Sequence, residues 1–173
     1  MAGSDLLQTI RERRSIRTYT PDAIAEEQIE ELIEALIWAP SAGNFQCRKF
    51  IFVRNVEMRQ KLQEACFNHD WIAEAPLVVV CCLDRKIEEH YGEGSTGFAI
   101  QDVSASIQNL LLLAHDRGLG SCWVCAYDPA RVRELLQLPP ELDLVAIVTV
   151  GHGAEAPELT ERVSREEAVT FLD

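Results

Sequence analysis

The run Leu77-Val78-Val79-Val80-Cys81-Cys82-Leu83 is apolar without a break. A strand with one wet face alternates apolar and polar residues, so an unbroken run of this length is expected of a strand covered on both faces. Leu144 to Val150 reads as a second buried strand, and Phe50 to Val53 and Ser121 to Ala126 as shorter ones. The segments between them carry helical periodicity. From Glu26 to Trp38, the residues Ile29, Leu32, Ile33, Leu36 and Ile37 make an apolar stripe with glutamates opposite, and Pro40 stops it.

Residues 5–14 suit a first helix, with Ser4 as N-cap and Leu6, Leu7 and Ile10 on one side. Further helices are expected over 56–67 and 98–116, the second ended by Gly118 in the C-cap position. Asp128-Pro129 opens another, which Pro139-Pro140 ends. The tail after Gly151 has no clear period beyond a last turn at 165–171, and the polar, glycine-rich stretch 84–97 is expected to be an exposed loop. Separated strands with helices between them predict an α+β domain, layered helix on sheet, with residues 1–173 as a single domain. There is no internal repeat and no linker.

Charge narrows the partners. The chain has 16 Lys+Arg against 28 Asp+Glu, a net charge of −12, which argues against nucleic acid as a partner. No apolar run approaches the ~20 residues of a membrane span. MAGSDLLQTIRERR lacks the features of a signal peptide, so the expected location is cytoplasmic, with no membrane partner. The six cysteines are too few for a disulfide scaffold, and neighbours Cys81 and Cys82 point to opposite faces of a strand, so no metal site is expected.

Against that acidic background, Arg11, Arg13, Arg14 and Arg17 fall within seven positions, beside Ser15. Guanidinium forks bind phosphate oxygens in pairs, and a hydroxyl or backbone N–H fills the remaining acceptor sites. An anion site is one reading; a solvated basic turn at a helix end is the other.

Two motifs point elsewhere. Gly92-Glu93-Gly94-Ser95-Thr96-Gly97 matches G-x-G-x-x-G, but DRKIEEHY separates it from the preceding strand, so a dinucleotide turn is disfavoured. Cys122-Trp123-Val124-Cys125 suggests a thiol–disulfide redox protein, yet it lies in an apparent strand with no helix before Asp128 to lower a thiol pKa.

RRSIRTY (13–19), ALIWAPSAGNFQ (35–46), FAIQDVSASIQNLLLLAHDRGLGSCW (98–123), VRELLQLP (132–139) and VAIVTVGHGAE (145–155) together resemble the nitroreductase family of FMN-dependent oxidoreductases. The resemblance implies an α+β fold, a central mixed and mainly antiparallel sheet flanked by helices, in an intertwined homodimer with FMN at its interface. It implies that Arg13, Arg14, Ser15 and Arg17 bind the FMN phosphate and ribityl chain. It also implies that Pro40, Ser41, Ala42 and Asn44 pack on the flavin from the partner subunit. Asn68 matches a residue on the pyrimidine edge, the backbone of Cys125 and Ala126 falls where a strand end meets the ring, and Arg162 or Arg165 matches a late basic residue on the phosphate. The implied reaction is ping-pong hydride transfer from NAD(P)H through the flavin to a small acceptor, a nitroaromatic or quinone, with no catalytic side chain named. A non-catalytic FMN-binding module and the C-x-x-C redox protein are the alternatives. Three departures from the family pattern fall where substrate would be selected: Cys47-Arg48, Cys125, and the short 84–97 region.

Overall fold

The computed structural model describes residues 5–172. Strands β1 (Arg48–Val53), β2 (Leu77–Asp84), β3 (Gly120–Val124) and β4 (Leu142–Gly151) form one sheet in the order β1-β2-β4-β3, every neighbouring pair antiparallel. The parallel component is an isolated bridge, Ser15 to Ser121, on the free edge of β3. The most apolar strands, β2 and β4, take the two central places.

The pleat of β2 divides the core. Leu77, Val79, Cys81 and Leu83 face a cluster with α2 (Glu26–Ile37) and α6 (Thr96–Asp116). Val78, Val80 and Cys82 face α3 (Val56–Ala65), α4 (Trp71–Glu74) and α7 (Pro129–Leu136). Helices therefore cover both faces, as the unbroken apolar run requires, and Cys81 and Cys82 do lie on opposite sides. Each fully buried leucine or isoleucine in these clusters contributes ~1.5–3 kcal/mol relative to exposure. The stripes Leu32/Leu36 and Val103/Ile107/Leu110 supply much of the first layer.

Several boundaries differ from the sequence expectations. Helix α1 (Leu6–Glu12) is capped by Asp5, whose carboxylate accepts the Leu7 N–H at 3.0 Å; Ser4 lies outside the described residues. The helix expected over 56–67 stops at Ala65 because Phe67 and Asn68 both take left-handed backbone, at φ 56° and 60°. The expected strand to Ala126 ends at Val124, leaving Cys125 and Ala126 beyond it. The stretch 84–97 is not simply a loop. Ile87, fully buried, anchors a short helix α5 (Ile87–Tyr91) to the first core, and α6 begins at Thr96. Gly118, at φ 73°, follows α6 where a left-handed stop was expected. The tail carries α8 (Arg165–Ala168), closed by a capping box between Ser164 and Glu167. Among the described residues no helix is long and apolar enough to cross a membrane.

Candidate functional site

The segment after α1 is threaded between two strand ends. Ile16 N–H donates to Ser121 O at 2.9 Å on the β3 side, while Thr20 N–H donates to His152 O and Ala154 N–H to Thr18 O, both at 2.9 Å. The approach is close enough to require glycine at position 120, since a Cβ there would meet the Ile16 side chain at 2.8 Å. Glu155 accepts the Arg17 N–H. The arginine turn is thus held by backbone on both sides.

Its side chains converge. Ser15 and Arg17 lie beside the Cys122 thiol; burial pushes that thiol's pKa up, against Arg17, Ser15 and Arg13, which pull it down. Arg17 also lies 5.8 Å over the Trp71 ring. Burial, and then the charges of Arg14 and Arg162, lower the Arg13 pKa. Arg162 therefore comes near Arg13 from the far end of the chain, whereas Arg165 lies over Phe171. Arg14 is used differently: its guanidinium donates to the carbonyls of Arg11 and Arg13 at 2.7 Å, capping the end of α1.

Arg54, Arg85, Arg117, Arg131 and Arg133 each hold a carboxylate. Among the described residues no ion pair is formed by Arg13, Arg14, Arg17 or Arg162. Arg13 and Arg14 line a cleft of about 380 Å³ with Ser121 and Glu155. Glu12 lines the same cleft, and Glu155 takes the Arg17 backbone N–H, so these guanidinium groups of an acidic chain keep no salt-bridge partner among the described residues and suit an anionic ligand.

The segment after β3 and the end of α3 lie side by side. Asp128 N–H donates to Ala65 O at 2.8 Å, which brings the segment after β3 beside the end of α3. Asn68 follows that end and precedes Trp71, the ring under Arg17. Asparagine tolerates left-handed backbone; Phe67, at φ 56°, does so at a cost.

The loop 40–46 lies apart. Asp102, buried in α6, accepts the Ala42 N–H at 3.0 Å. Gly43, Asn44 and Gln46 all have positive φ, and a Cβ on Gly43 would meet the Phe45 ring and the Tyr91 hydroxyl at 2.6 Å. Phe45 stacks on His90 with centroids 3.6 Å apart, and Tyr91 packs edge-on against both Phe45 and Phe98. Asp102 lies in the first half of α6, while His115, near its end, lines the arginine cleft. Thirteen residues of helix separate them by ~20 Å. One chain does not bring the loop and the arginine turn together.

Arg48 serves the fold. Its guanidinium donates to the carbonyls of Ile37, Ala39 and Pro40 at 2.7, 2.8 and 3.2 Å, closing the end of α2. Cys125 is exposed and receives the Trp123 indole N–H at 3.1 Å, with Trp123 packed on the first core. Cys122 is buried in the second. All six thiols are free, and Cys122 is buried in β3 while Cys125 is exposed beyond its end, which disfavours the dithiol alternative. Asp102, Glu155 and Trp71 escaped sequence reasoning. Only Asp102 left a signal there: it is an acid on the buried stripe of Ala99, Val103 and Ser106.

The model of the nitroreductase family matches residues 10–78 and 66–152. The sequence is similar to an NADH dehydrogenase of Thermus thermophilus, 31% identical over an alignment that covers 92% of each chain. It is also similar to an FMN reductase [NAD(P)H] of Bacillus subtilis, 28% identical over 94% of this chain and 72% of that one. The fold superposes on the NADPH:FMN oxidoreductase of Vibrio harveyi complexed with NAD+ with a TM-score of 0.89. That match is 26% identical and covers 97% of this chain and 77% of the other.

Proposed function

The chain belongs to the nitroreductase family of NAD(P)H oxidoreductases, and on that premise we propose that it binds FMN and reduces a small acceptor, a quinone or nitroaromatic, at the expense of NADH or NADPH. The observation that supports the reading is the set of guanidinium groups on Arg13, Arg17 and Arg162, none of them in an ion pair among the described residues, in a chain of net charge −12. FMN, when bound, supplies hydride transfer, accepting from the nicotinamide and delivering to the acceptor once the donor has left.

The protein's part is holding and shielding. Arg13, Ser15, Arg17 and Arg162 would hold the phosphate, with Arg14 fixing the helix end behind them. Asn68 and the backbone after β3, at Cys125 and Ala126, would meet the ring edge, where N–H donors and positive charge favour added electron density. Pro40, Ser41, Ala42 and Asn44 would come from a second copy of the chain. The ~20 Å along α6 between this loop and the arginine turn supports that division. So does an apolar groove of about 810 Å³ lined by Leu6, Ala35, Trp38, Leu112 and Leu113, with Trp38 79% exposed at its rim. An exposed apolar surface of this kind is typical of a subunit interface. In the dimer, Phe45, Tyr91 and Phe98 would present flat apolar faces to the acceptor.

The test is steady-state oxidation of NADH and NADPH by the yellow purified protein, with menadione or a nitroarene as acceptor. Turnover that scales with FMN content supports the proposal. A flavin-loaded protein that leaves both nicotinamides unoxidised would overturn it.

A further inference from the structure

The arginine turn is braced from beneath by a buried pair of hydroxyls. Tyr19, 7% exposed, donates to the carbonyl of Ile16 at 2.6 Å, and its oxygen lies 2.8 Å from the Thr149 hydroxyl. A phenol has one proton to give. With that proton on Ile16, Thr149 is the donor of the second bond, so the chain of donors runs from β4 through Tyr19 to the turn. Thr149 is fully buried and stands opposite Cys122 in the β3–β4 register. Cys122 in turn lies beside Ser15 and Arg17, with Ser15 bridged to its neighbour Ser121. Burial holds the Tyr19 hydroxyl neutral well above the usual phenol range, so it remains a donor at every working pH.

Ile16 sits between Ser15 and Arg17, the two residues beside Cys122. Its N–H is fixed by Ser121 and its carbonyl by Tyr19, so both neighbouring peptide planes are set. We propose that Tyr19 and Thr149 are positioning residues that aim Ser15 and Arg17 at the phosphate of the cofactor, and that through them the protein distinguishes a phosphorylated flavin from riboflavin. The inference rests on the reading of the arginine turn as the phosphate site. It concerns only the phosphate end, because nothing in this network reaches Asn68 or the loop 40–46.

Mere packing of the sheet edge would give a different result. Tyr19→Phe keeps the ring and Thr149→Val keeps the shape, so each removes hydrogen bonds alone. In fluorescence titrations of the full-length protein with FMN and with riboflavin, each single variant should bind FMN about three- to tenfold more weakly, the range of one net hydrogen bond. Riboflavin affinity should stay within about twofold. The double variant should be close to the worse single one, since the two share a bond. Thr149→Ser, which keeps the hydroxyl, should retain the wild-type FMN-to-riboflavin ratio, and thermal unfolding of each variant checks that it is folded.

If wild type prefers FMN and the ratio is unchanged in Tyr19→Phe, the positioning role is refuted while the phosphate site stands. Equal weakening of both flavins would also refute it. If wild type binds neither flavin, the cofactor reading itself fails and this inference falls with it.

Discussion

The carboxylate of Asp102, buried in α6, accepts the backbone N–H of Ala42 at 3.0 Å. That single bond ties the irregular loop 40–46 to the longest helix. A hydrogen bond to a charged group is worth ~1.5–3 kcal/mol, and the loop's three left-handed residues, Gly43, Asn44 and Gln46, need such an anchor. Asp102→Ala should release the loop and weaken FMN retention about tenfold. Asp102→Asn, which keeps an acceptor oxygen, should change it by less than about threefold. Flavin remaining after gel filtration measures both.

Arg13 and Arg17 should matter by charge as well as by shape. Arg13→Ala and Arg17→Ala should each weaken FMN binding by about tenfold or more. Added salt should weaken the wild-type complex and do so less in either variant, because fewer charges remain to be screened. Equilibrium dialysis at two ionic strengths reads both effects. Unchanged affinity in both variants would remove the phosphate from this turn.

Thiol chemistry should be confined to one cysteine. Cys47, Cys66, Cys81, Cys82 and Cys122 are buried, and Cys125 is exposed. Burial also pushes the pKa of each of the five buried thiols up, Cys66 to about 12 and Cys82 to about 11. A colourless disulfide reagent should label one thiol of the native protein and none in Cys125→Ser, with mass spectrometry giving the count. Cys125→Gly should leave reduction by NAD(P)H intact.

Stability should fall in alkali. In the unfolded chain Cys66 and Cys82 lose their protons near the ordinary value of 9.0, while in the fold they keep them to about 12 and about 11. Between those limits the unfolded state gains by ionising and the folded state does not. This contribution to stability is full below pH 9.0 and is lost as pH rises through about 11–12. Tyr127, raised by burial from 10.0 to about 12, acts in the same sense. Urea midpoints measured across this range should fall more steeply in wild type than in a Cys66→Ala, Cys82→Ala double variant.

The sequence made the layered core legible because burial leaves a period. LVVVCCL and the stripe at Leu32 and Leu36 fall where the pleat and the helical repeat require. The arginine turn was legible through charge alone, and of the two late arginines that the resemblance offered, the structure brings Arg162 near Arg13. What stayed hidden depends on contacts distant in sequence or on single residues. Helix α5 hangs on one buried side chain, Ile87, in an otherwise polar stretch. Arg48 closes α2 through three carbonyls, a role with no local pattern. The end of β3 at Val124 follows from the turn that brings Asp128 to Ala65, which no periodicity announces.

The central claim is that one flavin site takes its arginine turn from one chain and its 40–46 loop from another. Co-expression of Arg17→Ala with Asp102→Ala, each under its own affinity tag, tests it directly. In a two-fold dimer a mixed pair carries both defects in one site and neither in the other. The doubly tagged protein should therefore hold about one FMN per dimer and recover about half the wild-type turnover, although each homodimer is impaired. Mixed dimers as poor in flavin and activity as their parents, or a flavin-loaded monomer of 19.4 kDa in sedimentation, would contradict the shared site.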